Sequence, residues 1–146
     1  MTEVAFHFGA PDRLAYTCRL LRKATATGAR LLVRSTPELC AELDVALWSL
    51  APTEFISHCR APATDAVRER SAVLLLDDVA ELDVAFPVLV NLAQDVPQGF
   101  ERFVRVIEIV STDEQDRSLA RQRWKHYTGL GYTITRHDLK LRTESP

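Results

Sequence analysis

Basic side chains and an indole recur along one face of a segment near the C-terminus. On a helix that turns by about 100° per residue, Arg117, Arg121 and Trp124 lie on the side opposite the apolar face, with Lys125 beside them. Arginine can hold a carboxylate with two parallel hydrogen bonds, and a cation can lie over an indole ring. The set therefore suits an anionic, aromatic ligand, either an acidic peptide with an aromatic end or a stacked single-stranded base. The structural alternative is a solvated basic face with Trp124 flat against its neighbours.

The apolar side of the same helix carries Leu119, Tyr127 and Leu130, which we predict face the core. The surrounding region is locally basic, although the whole chain has a formal net charge of −2. Asp138 is the only acid within a run that contains seven cations: Arg117, Arg121, Arg123, Lys125, Arg136, Lys140 and Arg142. Bulk charge therefore does not favour nucleic-acid binding, whereas a local anion site is compatible with the sequence.

A second tryptophan, Trp48, is predicted on the side of an earlier helix that faces away from the core. The apolar stripe of that helix is formed by Leu39, Leu43, Ala46 and Leu50. Trp48 falls opposite this stripe, and Phe55 follows after Pro52 turns the chain. These aromatic residues either pack under the loop predicted at 61–70 or form an interface, where tryptophan is enriched.

Nucleotide hydrolysis is disfavoured by the absence of a phosphate-binding loop. The run from Leu74 to Asp78 imitates the apolar strand and terminal acid of a nucleotide hydrolase, but the sequence has five glycines and no GxxxxGK[ST] motif. We interpret Asp77 and Asp78 as acids at a strand end.

Thiol and metal chemistry are also disfavoured. His58 and Cys59 are adjacent in sequence, which does not make a catalytic pair. The other histidines (His7, His126 and His137) have no metal-ligand spacing, and the three cysteines form no CxxC pair. We expect no cofactor, no metal and no catalytic residue.

Strands alternate with helices along the chain. Strands are predicted at 4–8, 31–33, 55–56, 73–76, 86–92, 103–110 and 132–135. Helices are predicted from Pro11-Asp12 to Gly28, from Ser35-Thr36 to about residue 50, and from Ser111 or Thr112 to Gly129 or Gly131. This order predicts an α/β fold: a single Rossmann-like domain with a mostly parallel sheet, helices on both faces and no P-loop.

Length and composition fit one domain. The 146 residues are 47% hydrophobic and 26% charged, as in ordinary globular proteins. We predict a domain at 1–140 and a polar tail at 141–146. Because the sequence has no signal-like start and no long apolar run, we expect a soluble, cytoplasmic protein.

Several segments, in order, resemble the chi subunit family of bacterial DNA polymerase III along nearly the whole chain. They are Leu43-Asp44-Val45-Ala46-Leu47-Trp48, Phe55-Ile56-Ser57-His58, Arg105-Val106-Ile107-Glu108-Ile109-Val110 and Ala120-Arg121-Gln122-Arg123-Trp124-Lys125-His126-Tyr127. Phe6-His7-Phe8 and Gly131-Tyr132 also fit. Ser57 departs from the family, since many members have proline before the histidine.

The resemblance implies a replisome adaptor, an accessory subunit without catalysis. Chi proteins pair with the psi subunit, which ties them to the clamp loader. They also bind the acidic, phenylalanine-terminated tail of the single-stranded-DNA-binding protein (SSB). Carried over by position, the tail site maps to Val110, Arg117, Arg121, Trp124, Lys125 and Tyr127. The psi contact maps to Trp48, Pro52 and Phe55, a surface that a helicase-like repair protein shares in some members.

Two alternatives from other classes stay open. A degenerate nucleotide-binding α/β protein would gain thermal stability from ATP or GTP, because ligands that bind only the folded state stabilise it. A direct single-stranded nucleic-acid binder would bind oligonucleotides through Trp124 and its basic helix.

Overall fold

Continuous apolar runs form the central strands, because a parallel sheet covered on both faces needs apolar side chains on both sides. The computed structural model describes residues 2–49 and 56–139. The strands in this part of the chain are β1 (Glu3–Ala10), β2 (Leu31–Ser35), β3 (His58–Arg60), β4 (Val73–Asp77), β5 (Val88–Asn91), β6 (Arg105–Ser111) and β7 (Ile134–Asp138). All five residues of β2 are buried, which identifies it as a central strand.

Each α-helix among the described residues follows a residue whose side-chain oxygen accepts a hydrogen bond from the first turn. The helices are α1 (Arg13–Ala26), α2 (Pro37–Trp48), α3 (Asp65–Arg70) and α4 (Glu114–Gly129), with a short 3₁₀ helix at Phe100–Arg102. Their caps are Asp12, Thr36, Thr64 and Asp113. The predicted cap of α4 at Ser111 or Thr112 is wrong, since Asp113 accepts the bond from the backbone of Asp116.

The sheet has the order β3-β4-β2-β5-β6-β1-β7, and every pairing among the described strands is parallel. One apolar cluster includes Leu21 of α1 and Leu43 of α2, while a second includes Ala120 and Tyr127 of α4. Helices therefore cover both faces, which confirms the predicted Rossmann-like α/β fold. The sheet is entirely parallel in the described residues, where the sequence predicted mostly parallel.

The predicted loop at 61–70 contains helix α3. Thr64 accepts from the amide of Val67, with Asp65 in the first turn and Arg68 and Arg70 in the last. None of its six residues is buried, so it has no apolar stripe that could have predicted it. The prediction of a strand at 55–56 is wrong at Ile56, which precedes β3, and Phe55 lies outside the described residues. The domain boundary at 140 and the tail at 141–146 stay predictions, because the tail also lies outside them.

Strand β1 positions the region that the sequence singled out. It lies between β6 and β7, so the connection from β6 through α4 to β7 carries the helix over β1. In the β1–β7 register, Phe6 is level with Arg136 and Phe8 with Asp138. Side chains of β1, β7 and α4 consequently meet on one face of the sheet. Among the described residues, no helix combines the length and apolar character needed to cross a bilayer.

Candidate functional site

A buried carboxylate, Glu108 of β6, fixes the inner side of α4. It accepts hydrogen bonds from the Tyr127 hydroxyl at 2.8 Å, Arg123 Nε at 3.0 Å and the side-chain amide of Asn91 at 3.0 Å. The Arg123 Nη1 atom also donates to the Gln94 carbonyl. Burial raises the pKa of Glu108, while Arg123 and the hydrogen bonds act in the opposite direction. Two α4 side chains one turn apart are thus held by one group in the sheet.

This anchoring sets the rotation of α4. Its buried residues are Ala120, Arg123 and Tyr127, so the core face is centred closer to Arg123 than the sequence predicted. Leu130, predicted in the core, is 55% exposed, and Leu119 is only partly buried. The helix pattern does not indicate Arg123 as a core residue, because an arginine is rarely buried unless it is paired. Here Glu108 pairs with it inside the protein.

The outer side of α4 borders a groove of about 460 Å³. Its lining combines four cations and two aromatic rings: Phe8, Arg117, Arg121, Trp124, Lys125 and Arg136. Four of these six residues are the ones the sequence placed on a single helix face. Phe8 and Arg136 were absent from the predicted site and come from β1 and β7.

The aromatic part of the groove is tied to the core. The Trp124 ring centroid lies 5.1 Å from that of Phe6 and 6.0 Å from that of Phe8. Trp124 is therefore half-buried against β1, although the helix pattern places it on the side opposite the apolar face. The guanidinium carbon of Arg136 lies 4.6 Å from the Phe8 ring centroid, within cation–π range. The rings and this cation form one continuous wall.

The cations of the groove differ in their partners. Arg121 Nη2 lies 3.1 Å from Glu114 Oε1, and Arg117 Nη1 lies 3.6 Å from Glu114 Oε2. Among the described residues, no acid forms an ion pair with Lys125 or Arg136. One carboxylate thus serves two of four cations, and the groove keeps a positive excess.

Two predicted contact residues do not reach this surface. Val110 and Tyr127 have no exposed surface and belong to the apolar cluster beneath α4. Their assignment as surface contacts is corrected: Val110 lies in a strand covered by the helix, and the Tyr127 hydroxyl is held by Glu108. Phe8 lies beside Trp124 and supplies the second apolar side chain of the groove wall. The alternation of Phe6 and Phe8 around His7 was the available sequence signal.

The second predicted surface is only partly described. Trp48 at the end of α2 is 62% exposed and Val45, one turn earlier, is 65% exposed. The Trp48 ring centroid lies 4.9 Å from that of His58, whose ring contacts Asp44 Oδ1 and the Ile56 carbonyl. Pro52 and Phe55, predicted beside Trp48, lie outside the described residues.

The cysteines and His58 have other contacts in the described part of the chain. Cys59 is buried, and the His58 ring nitrogens contact Asp44 and Ile56, so the two do not form a thiol–imidazole pair. Burial raises the pKa of the Cys18 and Cys40 thiols, which lowers their reactivity. No cluster of potential metal ligands occurs in residues 2–49 and 56–139.

A larger cavity lies at the carboxyl ends of the strands, where ligands of open α/β sheets usually bind. Its charged lining residues are the four acids Asp78, Glu81, Asp95 and Glu101 and the two cations Arg34 and Arg102. Arg34 Nη2 is already 2.9 Å from Asp95 Oδ1. A nucleotide phosphate would meet an excess of negative charge there, which disfavours the nucleotide-binding alternative.

Comparison with known proteins gives matches along nearly the whole chain. The family model described as "DNA polymerase III chi subunit, HolC" matches residues 1–135. The DNA polymerase III subunit chi of Pseudomonas aeruginosa is 29% identical over 154 aligned positions, covering 95% of this chain and 98% of the relative. The subunit of the same name from Haemophilus influenzae is 25% identical over 121 positions, covering 81% of each.

Among solved structures, the C-terminal domain of the DEAD-box protein Dbp5 superposes with a TM-score of 0.60. It covers 95% of this chain and 92% of that domain at 14% identity, a likeness of fold alone. The family match and the two curated relatives agree with the resemblance carried by the α2 and α4 segments. This chain belongs to the DNA polymerase III chi subunit family.

Proposed function

We propose that this accessory subunit of DNA polymerase III is a non-catalytic, cytoplasmic adaptor of the replisome. In this proposal the groove on α4 binds the acidic C-terminal tail of SSB. The surface around Trp48 binds the psi subunit and thereby the clamp loader. Family membership supports association with the polymerase complex. The charge and exposed aromatic side chains of the two surfaces support the more specific proposals for SSB and psi.

The observation that carries the proposal is the combination of charge and aromatic wall in one groove. Four cations surround Phe8 and Trp124, although the whole protein is slightly acidic. An acidic tail ending in phenylalanine offers the complementary parts, carboxylates for the cations and a ring for the wall. Phe6 contacts both rings and limits their motion. The two side chains should therefore lose little conformational entropy when a ligand binds.

The energetics suit a reversible contact. Attraction between exposed charges is screened by salt, so affinity should fall as ionic strength rises. Several SSB tails on one coated strand would raise the effective concentration near the groove. An adaptor of this kind would keep hold of the coated template while single contacts exchange.

The tail assignment is tested by titrating a labelled acidic peptide with a C-terminal phenylalanine against the protein. We expect Arg121→Ala and Trp124→Ala each to weaken binding by about tenfold or more, as for central interface residues. Arg19→Ala is the matched control, because Arg19 is an exposed arginine on α1, on the other face of the sheet. Equal binding by the parent and both groove variants would reject the site.

The psi assignment rests on Trp48, whose indole is largely exposed beside Val45. We expect Trp48→Ala and Phe55→Ala to weaken psi association and to leave peptide affinity unchanged. Co-purification with psi and the peptide titration measure the two properties on the same variants. A helicase-like repair protein that uses the same surface would compete with psi in this assay.

Direct binding of single-stranded DNA is the second candidate, favoured by the same cations and stacking rings. Titration with a short oligonucleotide, in the absence of SSB, separates it from tail recognition. The adaptor proposal predicts much weaker binding of the oligonucleotide than of the peptide at equal ionic strength. Tighter oligonucleotide binding that Trp124→Ala abolishes would favour the DNA-binding candidate.

A further inference from the structure

The four cations of the groove are not equivalent. Glu114 holds Arg117 and Arg121, whereas Arg136 comes from strand β7 and pairs with no acid among the described residues. Lys125 is likewise unpaired there, but an ammonium on a flexible stem is not fixed in the way a stacked guanidinium is. Arg136 is thus the cation that is both available and oriented.

The position of Arg136 is set by the strand register and by Phe8. Its backbone lies level with Phe6 at the edge of the sheet, and its guanidinium lies over the Phe8 ring. A guanidinium stacked on a ring keeps the N–H groups at its edge directed outward. Those groups can donate two parallel hydrogen bonds to one carboxylate.

Ligand chemistry links this cation to one end of the peptide. In a C-terminal aromatic residue, the ring and the α-carboxylate belong to the same residue. The cation that binds that carboxylate must therefore lie directly against the surface that binds the ring. Arg136 meets this requirement, because it contacts Phe8 and Phe8 is next to Trp124.

We propose that Arg136, stacked on Phe8, binds the free C-terminal carboxylate of the peptide whose aromatic ring packs on Phe8 and Trp124. The acids that precede the terminal residue then lie along α4, where Arg117, Arg121 and Lys125 follow one another. This inference rests on the proposed tail-binding function. It sets the direction in which the peptide runs along the groove, with its C-terminus at Arg136. It also makes the groove selective for a chain end over an internal acidic segment.

The test is a double-mutant cycle between Arg136 and the peptide terminus. The probe is a synthetic acidic peptide ending in phenylalanine, prepared with a free carboxylate and as the carboxamide. Both forms are titrated against the parent, Arg136→Gln and Arg19→Gln, whose arginine lies near the Tyr16 ring on α1. Arg136→Lys is a further variant that keeps the charge without the planar fork, and thermal melts check that each variant is folded.

In the parent and in Arg19→Gln, amidation should weaken binding by about tenfold, the usual effect of losing a charged hydrogen-bonded pair. Arg136→Gln should weaken binding of the free acid by a similar factor, and amidation should then have little further effect. Arg136→Lys should lie between the parent and Arg136→Gln.

Equal losses on amidation in the parent and in Arg136→Gln would overturn the inference, because the carboxylate would then be bound elsewhere. The proposed function would survive that result if Arg121→Ala and Trp124→Ala still weakened binding. Absence of binding by the parent to either peptide would instead reject the proposed function and the inference with it.

Discussion

At the scale of single residues, Glu114 stands where the acid of a ligand would otherwise contact Arg117 and Arg121. Its carboxylate pairs with both arginines in the first two turns of α4, and all three side chains are at least half exposed. A bound acidic peptide must displace Glu114 or share these arginines with it. If the groove binds an acidic peptide as proposed, Glu114 should compete with the peptide's carboxylates for these two arginines and lower its affinity.

Glu114→Gln should therefore strengthen binding of the acidic peptide by about two- to fivefold, the range expected for exposed ion pairs. The matched control is Glu38→Gln, which changes the acid in the first turn of α2. Isothermal titration at low salt measures both. A weaker or unchanged affinity in Glu114→Gln would show that this carboxylate does not compete with the ligand.

At the scale of elements, the seating of α4 on the sheet depends on a buried ion pair. Arg123 and Glu108 are both nearly inaccessible, and Tyr127 and Asn91 complete the bonds to the carboxylate. Trp124 follows Arg123 directly, so the same contacts fix the position of the indole. The groove therefore depends on a network that contributes nothing to its surface.

Arg123→Met should lower the free energy of unfolding by about 3–5 kcal/mol, because it leaves the Glu108 charge buried without its partner. The control is Arg105→Met, which breaks an exposed pair with Glu3 and should cost about 1 kcal/mol or less. Urea denaturation measures both. Equal losses in the two variants would contradict the role of the buried pair.

Because of Tyr127, the stability that this network provides should decrease at alkaline pH. Burial, followed by the nearby Glu108 charge, raises the pKa of Tyr127 above its ordinary value. An unfolded tyrosine loses its proton near pH 10. The contribution of protonated Tyr127 to the free energy of unfolding is therefore complete below about pH 10 and is lost as pH rises further.

Tyr127→Phe should lower the free energy of unfolding by about 1.5–3 kcal/mol at pH 7, as for a hydrogen bond to a charged group. The difference in free energy of unfolding between the parent and Tyr127→Phe should become smaller above about pH 10. Urea denaturation at pH 7 and pH 10.5 tests this prediction. A gap of constant size would contradict the raised pKa.

Local sequence signals predicted the main elements because they act over a few residues. Apolar runs predicted β2, β4 and β6, and the residues that open α1 and α2 predicted where these helices start. The short helix α3 was missed because it buries no side chain. The predicted rotation of α4 is wrong because the partner of Arg123, Glu108, lies in another element. The residues near position 123 do not indicate that this arginine is paired inside the protein.

The cations on α4 could be predicted because they share one helix, while the rest of the groove depends on the sheet. Phe8 and Arg136 are far apart in sequence and meet only because β1 and β7 pair in parallel. Strand order is set by packing of the whole sheet, which local patterns do not specify. The resemblance indicated the family correctly but placed Val110 and Tyr127 at a surface that they do not reach.

At the scale of the whole molecule, the two candidate surfaces are well separated. Helix α2 packs near β3 and β4 at one end of the sheet, and α4 packs over β6, β1 and β7 at the other. The two helices also lie on opposite faces. Because mutations at distant sites are usually independent, occupation of one surface should leave the other unchanged.

Simultaneous binding of two partners is the central claim, and sedimentation of a three-component mixture tests it most directly. The protein, psi and SSB should form one complex. Trp124→Ala should lose SSB while keeping psi, and Trp48→Ala should lose psi while keeping SSB. Mutually exclusive binding of psi and SSB to the parent, or loss of both partners from a folded single variant, would contradict the account.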